Sequence, residues 1–338
     1  MRAFAGAALL PLLSAALAGQ APAQAGAPAR AAPPGAPQSA APEKPAILWS
    51  KLEAAVREID ARLDGVLAVA IRDLTDGRTY YLHADEVMPT ASTIKLAILA
   101  ELYRQEAAAA AGGRAGGGGG AEEGGRGARL SDSYLVDSAD VVPGSDMLGG
   151  LTPGVTRLTN RDLATLMVGV SDNGATNVLI RRVGLERVNA LLDSLGLRAT
   201  RLRRRMLDLE AARAGRENTA TARELVLLLE ALWRGRVVEG ALRDDFFRLL
   251  ATPKMAYLPR LLPDPARLAS KPGWLEGVRV DAGVGSAPGR PFAIAVMITY
   301  AGDERAAEQA IADLGLLAWR HFERLGRGGA FGRVVSPR

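Results

Sequence analysis

The chain has 338 residues, 48% of them hydrophobic, enough for a sizeable core in one lobe or two closely packed ones. It has no cysteine and only two histidines, His83 and His321. That excludes disulfides and thiolate chemistry, and it disfavours both a zinc centre, which draws on several His or Cys ligands, and a Ser-His-Asp triad. The net charge of +5 and the pI near 9.7 come mostly from dispersed arginines, with one cluster at Arg201, Arg203, Arg204 and Arg205. With no nucleic-acid motif beside them, an anionic cell-wall polymer is a better-matched neighbour than DNA.

In chain order, a short basic start and an apolar run lead to small-x-small patterns at Ala16-Leu17-Ala18 and Ala23-Gln24-Ala25. This predicts a secretory signal peptide over residues 1–25, hence a periplasmic or extracellular protein. The run is short and broken by Pro11, so no stable membrane span is expected after cleavage. Residues 26–45 are Ala/Pro-rich and predict a disordered linker. The folded domain is then 46–325, with a frayed tail over 326–338.

Within that domain, Leu48, Leu52, Ala55, Val56, Ile59 and Leu63 recur at helical spacing. Residues 66–73 read as a buried strand, and Asp76-Gly77 as a hairpin turn into 78–83, which His83 ends in a partly exposed structural role. Pro89 breaks the chain before a helix that carries Ser92 near its start and runs to about 111. Residues 112–127 form a glycine-rich insertion unsuited to packing. Helical stripes follow at 159–170, 175–183 and 186–195, then a charged loop over 198–218. Thr221-Ala-Arg-Glu224 is a capping-box pattern opening a helix through Trp233, and 241–250 continues as helix. Strands are predicted at 268–272, 278–284 and 292–300. A closing helix at 304–325 has His321 on its surface. Strands at both ends with helices between predict an α+β fold: one antiparallel sheet built from N- and C-terminal strands and packed with helices, plus an all-helical lobe.

Three short strings carry the chemistry. Ser92-Thr-Ile-Lys95 puts a hydroxyl and an amine three residues apart, on one face of a helix. Serine needs a neighbouring base to become a nucleophile, and a desolvated lysine can be one. Ser171-Asp172-Asn173 falls at the connection between two helices. Lys271-Pro272-Gly273-Trp274 opens a strand region. Only five lysines occur, Lys44, Lys51, Lys95, Lys254 and Lys271, yet two stand in these strings. Arginine, used elsewhere, cannot exchange a proton at neutral pH. Each string alone matches a solvated helix cap or a capping turn; three in order are specific.

Together these strings resemble the serine β-lactamase and penicillin-binding protein superfamily, and class A β-lactamases in particular, over about residues 47–325. The resemblance implies that fold, with a cleft between lobes and each motif supplied by a different segment. It implies a Ser92 nucleophile that becomes acylated, Lys95 as proton acceptor and Ser171 as shuttle to the leaving nitrogen. Asn173, Lys271, Gly273 and Trp274 would contact substrate: Asn173 through the substrate's amide side chain, Lys271 through its carboxylate. The backbone N–H groups of Ser92 and Trp274 would form the oxyanion hole, and Asp172 would anchor its loop. No cofactor or metal is implied. The expected partner is a small-molecule β-lactam or a peptidoglycan stem peptide, bound by a monomer.

Two departures bear on function. Pro272 stands where the family carries a hydroxyl that helps bind the carboxylate, so Lys271 or Arg279 must compensate. Matching Thr200-Arg201-Leu202 to the family sets Met206 where class A enzymes have the Glu that activates the deacylating water. Asp208 and Glu210 are shifted from that position and are the candidate deacylation acids. If one serves, β-lactamase-like ring hydrolysis is expected. If neither does, a slow-deacylating D,D-peptidase or penicillin-binding-like protein is expected. A non-catalytic cell-wall binding module keeping the fold, and an esterase using Ser-Lys chemistry, are also compatible with these strings.

Overall fold

The apolar runs at residues 66–73 and 290–299 are too continuous for a sheet with one wet face, and both faces of the sheet they form are covered. The computed structural model describes residues 43–112, 127–264, 268–329 and 331–334. The expected signal peptide, most of the linker and the centre of the glycine-rich insertion lie outside them. Helix α1 (Glu43–Arg62) leads into strands β1 (Val66–Asp73), β2 (Thr79–Leu82) and β3 (Met88–Pro89), and a 3-10 turn at Ala91–Ile94 feeds α2 (Lys95–Gly112). The middle of the chain holds β4 (Ser133–Leu135), α3 (Asp146–Gly149), β5 (Arg157–Thr159), α4 (Asn160–Gly169), α5 (Asn173–Val183), α6 (Leu185–Ser194), α7 (Leu209–Arg213), β6 (Thr219–Ala220), α8 (Ala222–Trp233) and α9 (Gly240–Leu250). Strands β7 (Leu268–Leu275), β8 (Val278–Ala287) and β9 (Arg290–Thr299) and helix α10 (Glu304–Arg327) follow.

The main sheet has the order β2-β1-β9-β8-β7, antiparallel throughout. Strand β1 pairs with β9 along its length, from Val66 opposite Thr299 to Asp73 opposite Phe292, which joins the two ends of the domain. Alternate residues then face different layers. Leu67, Val69, Ile71, Ile294, Val296 and Ile298 pack under α1 and α10 with Trp49, Leu52, Val56, Ile311 and Phe322. Ala68, Ala70, Ala293, Ala295 and Met297 face the helical body. The short side chains of the four alanines let α8 lie close against β1 and β9. Each large side chain fully buried in these layers stabilises the fold by about 1.5–3 kcal/mol. The α+β architecture is thus the one the strand and helix pattern predicted.

Several expectations need correction. Helix α1 begins at Glu43, inside the expected linker. Helix α10 runs to Arg327, and Gly328 bridges Val334, so the expected frayed tail begins as a folded-back turn with Gly329 N–H donating to Arg333 O at 3.0 Å. His321 is buried rather than on the surface. Its ring meets Trp49 edge-on with centroids 4.6 Å apart, because that side of α10 is pressed against α1. Burial takes the imidazole pKa down to about 4, so it is neutral. His83 turns the chain after β2 with φ +45°, its Nδ1 3.0 Å from Leu67 O. The capping box at Thr221 is half formed. Thr221 Oγ1 accepts from Glu224 N–H at 3.1 Å, while the Glu224 carboxylate takes Ala199 and Thr200 N–H instead. Among the described residues no helix is long and apolar enough to cross a membrane, and no group of three or more His, Cys, Asp or Glu is set to hold a metal.

Candidate active site

The nucleophile candidate lies on a turn rather than in a helix. Ala91–Ile94 is a 3-10 turn, and Lys95, expected inside the helix, is its first α-helical residue. In a 3-10 turn residues i and i+3 eclipse, so the side chains of Ser92 and Lys95 project the same way; Lys95 N–H donates to Ser92 O. The turn is held from outside. Thr90 N–H donates to Asn218 O at 2.9 Å, and Thr93 Oγ1 donates to Lys271 O at 3.1 Å. Strand β7 runs so close that a Cβ on Gly273 would sit 2.7 Å from Ser92 N and 2.9 Å from Thr93 N. Only glycine fits there, which gives the third motif its Gly.

Lys95 is fully buried. Its Nζ donates to Ser171 O at 2.6 Å, Ser171 Oγ at 3.0 Å and Asn173 Oδ1 at 3.1 Å. Those bonds use every N–H of an ammonium, and they run to the second motif rather than to Ser92. Burial first, and the charge of Lys271 second, hold the Lys95 pKa well below its usual value. Lys271 reaches the same hydroxyl from the other side, with Nζ 3.1 Å from Ser171 Oγ, and also donates to Pro272 O at 2.7 Å. Its burial takes it down to about 7, against the opposing pull of Asp281. Two buried amines therefore share one serine hydroxyl.

The Ser171 loop is built for that position. Ser171 has φ +58°, a conformation that costs a non-glycine residue about 1–3 kcal/mol. Asp172 anchors the loop: it is buried and accepts from Leu148 N–H and Ala175 N–H, both at 2.9 Å. Asn173 Nδ2 donates to Pro143 O at 3.1 Å, leaving one amide N–H. Gly144 makes room for it, since a Cβ there would meet Asn173 Nδ2 at 2.7 Å. Ala91 and Leu207 also have positive φ, and with Ser171 they line one cavity, so backbone strain gathers at the cleft.

That cavity, of about 340 Å³, is lined by Ser92, Ser171, Asn173, Met206, Leu207 and Trp274. Its wall comes from the charged loop, which side-chain amides hold in shape. Asn177 takes Met206 N–H at 2.8 Å and gives to Met206 O at 3.1 Å, and Asn218 Oδ1 takes the N–H groups of Arg203 and Arg204. Arg204 braces it through Glu217 at 2.7 and 3.0 Å. Asp208 and Glu210 are exposed and do not line the cavity; Asp208 caps α7 by accepting from Ala211 N–H at 2.9 Å. A second cavity, of about 1000 Å³, opens beside the first on the Lys271, Pro272 and Trp274 side and also contains Lys254. Sequence reasoning missed Asn177, Asn218 and Lys254. Asn177 alone carried a signal, one helical turn after Asn173; the others are remote from every motif.

The sequence profile of the Beta-lactamase enzyme family matches residues 51–111 and 121–322. Beta-lactamase AST-1 of Nocardia asteroides is 31% identical over 257 residues, 74% of this chain and 76% of that protein. A beta-lactamase of Streptomyces albus G is 29% identical over 287 residues, covering 78% and 82%. Among solved structures, the beta-lactamase of Sphaerobacter thermophilus superposes with a TM-score of 0.67 at 30% identity, over 81% of this chain and 97% of that one. Fold and matches together define a member of the serine β-lactamase and penicillin-binding protein superfamily, and within it the chain belongs to the Beta-lactamase enzyme family.

Proposed function

We propose that the protein is an exported active-site-serine hydrolase that is acylated on Ser92 by β-lactams or D-Ala-D-Ala-like amides, and that opens the β-lactam ring. The observation that carries this reading is the pair of buried amines, Lys95 and Lys271, on the Ser171 hydroxyl in the cavity that holds Ser92. Lys95, once neutral, has a lone pair to take the Ser92 proton as Oγ bonds to the carbonyl carbon. The carbonyl π electrons move to oxygen, where the N–H groups of Ser92 and Trp274 receive the charge. Collapse restores C=O and breaks the C–N bond, and the proton passes from Lys95 through Ser171 to the leaving nitrogen. Water then cleaves the ester and returns Ser92. Asn173 has an amide N–H for the substrate's side-chain carbonyl, and Lys271 has a third N–H for its carboxylate.

The family match and the beta-lactamase names of its relatives support β-lactams as substrates. A second reading, slow deacylation, is favoured by one feature. The loop contributes Met206, Leu207 and Leu209 to the cavity, with Asp208 and Glu210 outside it, and the carboxylate that does line it, Asp146, comes from α3 rather than from this loop. Intact-protein mass spectrometry with benzylpenicillin tests the first reading: one adduct, mapped to Ser92 and absent from Ser92→Ala. An adduct elsewhere, or none, ends it. The adduct's lifetime separates turnover from trapping.

A further inference from the structure

The larger cavity adjoins the proposed reaction centre at Pro272, where the family carries a hydroxyl. Pro272 lines this cavity and offers neither a side-chain hydroxyl nor an N–H. Three further cations line it: Lys254, Arg260 and Arg279. The arginines are already matched. Arg279 is bound to Glu304 at 2.6 Å and Glu308 at 3.0 Å, and Arg260 stands 3.7 Å from Glu308. Lys254 Nζ makes one hydrogen bond, to Leu250 O at 2.6 Å, and among the described residues no carboxylate lies within ion-pair distance of it. It therefore keeps two N–H donors in a cavity wall beside Lys271.

The placement is built rather than incidental. Asp281, on β8 opposite Pro272, is fully buried and accepts from Tyr257 N–H and Leu258 N–H, both at 2.9 Å. This ties the segment that carries Lys254 to the strand pair beneath Lys271. Burial lowers the Lys254 pKa to about 8, against the pull of Asp281, so the amine stays mostly charged at neutral pH. The charge of Lys254 is also felt at Lys271.

We infer that Lys254 is a specificity-determining residue: with Lys271 it grips the substrate's carboxylate from two sides, doing the work of the hydroxyl that Pro272 does not supply. This rests on the acylation reading above, and the test separates the two. Second-order acylation constants are measured for benzylpenicillin and its uncharged methyl ester, on the parent protein, Lys254→Met and Lys254→Arg. Removing one charge-assisted hydrogen bond predicts an acylation about 20-fold slower for Lys254→Met with the carboxylate form and changed less than about threefold with the ester. Lys254→Arg should recover most of the difference. Equal losses on both forms would reveal a merely structural role and overturn the inference, as would no loss on the carboxylate form. A parent protein that accepts no adduct from either form defeats the acylation reading instead. Calorimetric titration with hydrolysed benzylpenicillin then decides: binding about 20-fold weaker in Lys254→Met supports the carboxylate grip, and unchanged binding overturns it.

Discussion

Two demands on Lys271 pull against each other. The proposed reaction asks it to offer charge to a substrate, yet it sits fully buried among other cations, where burial takes its pKa to about 7 from 10.5. Between those values the unfolded chain binds more protons than the folded one, so stability rises with pH across that window. The cost of the buried charge is complete below about pH 7 and fades as pH climbs toward the unfolded value. From pH 7 to 9 this single group contributes about 2 kcal/mol of rising stability, at 1.36 kcal/mol per unit of pKa shift. Denaturant titrations of the parent and of Lys271→Met at both pH values should show the parent gaining that much on the variant. A pH-independent gap would mean that Lys271 is not strained by its burial. The motif residues were legible in the sequence because each string is contiguous and the three stand in order. Lys254 was not, since an isolated lysine on a loop reads as solvated until the walls around it are known.

Among the secondary-structure elements, the contact that matters is strand β7 lying on the 3-10 turn. Strand β7 is the sheet edge, where a proline such as Pro272 is tolerated. Gly273 lets that edge approach Ser92. Replacing it with alanine puts a methyl group into backbone atoms, an overpacking worth about 1–3 kcal/mol. Gly273→Ala should therefore melt earlier and acylate roughly 10- to 100-fold more slowly, an effect of that same size on the barrier. A variant with the parent's acylation rate would show that β7 can retreat from the turn without disturbing Ser92. Hydrophobic periodicity found nearly every long helix and strand. It placed Ser92 in a helix because a 3-10 turn leading into an α-helix shares its apolar spacing, and it put His321 on the surface because an imidazole carries no apolar signal.

For the molecule as a whole, the proposed acylation ends in turnover or in trapping, and the loop wall is where the two readings differ. A strand pair, a helix start, an interhelical loop and the 203–218 segment meet around Ser92, and the last lines the cavity with Arg204, Met206, Leu207, Leu209 and Asn218 but no carboxylate. Met206 is 7% exposed and fixed by Asn177 on both sides of its peptide, so a side chain placed there is aimed reproducibly. Met206→Glu should shorten the acyl-enzyme lifetime about 100-fold, the usual worth of a general base. It should also lower stability by about 1–3 kcal/mol for burying a polar group. Turnover of a chromogenic cephalosporin reads the first effect and thermal melting the second. An unchanged lifetime would place the limiting step elsewhere.

Sequence alone determined the α+β layout and the three motif strings, since these follow from apolar period and contiguous residue types, which are local; the two departures came from setting those strings beside the family they resemble. Tertiary structure decided which amines share the Ser171 hydroxyl, that Asp208 caps a helix outside the cavity, and that Lys254 stands beside Lys271. Burial, and with it the pKa of each amine, depends on groups far apart in the chain, such as Thr93 and Lys271 O, which bond across 178 residues, and no local pattern records which distant segments will meet.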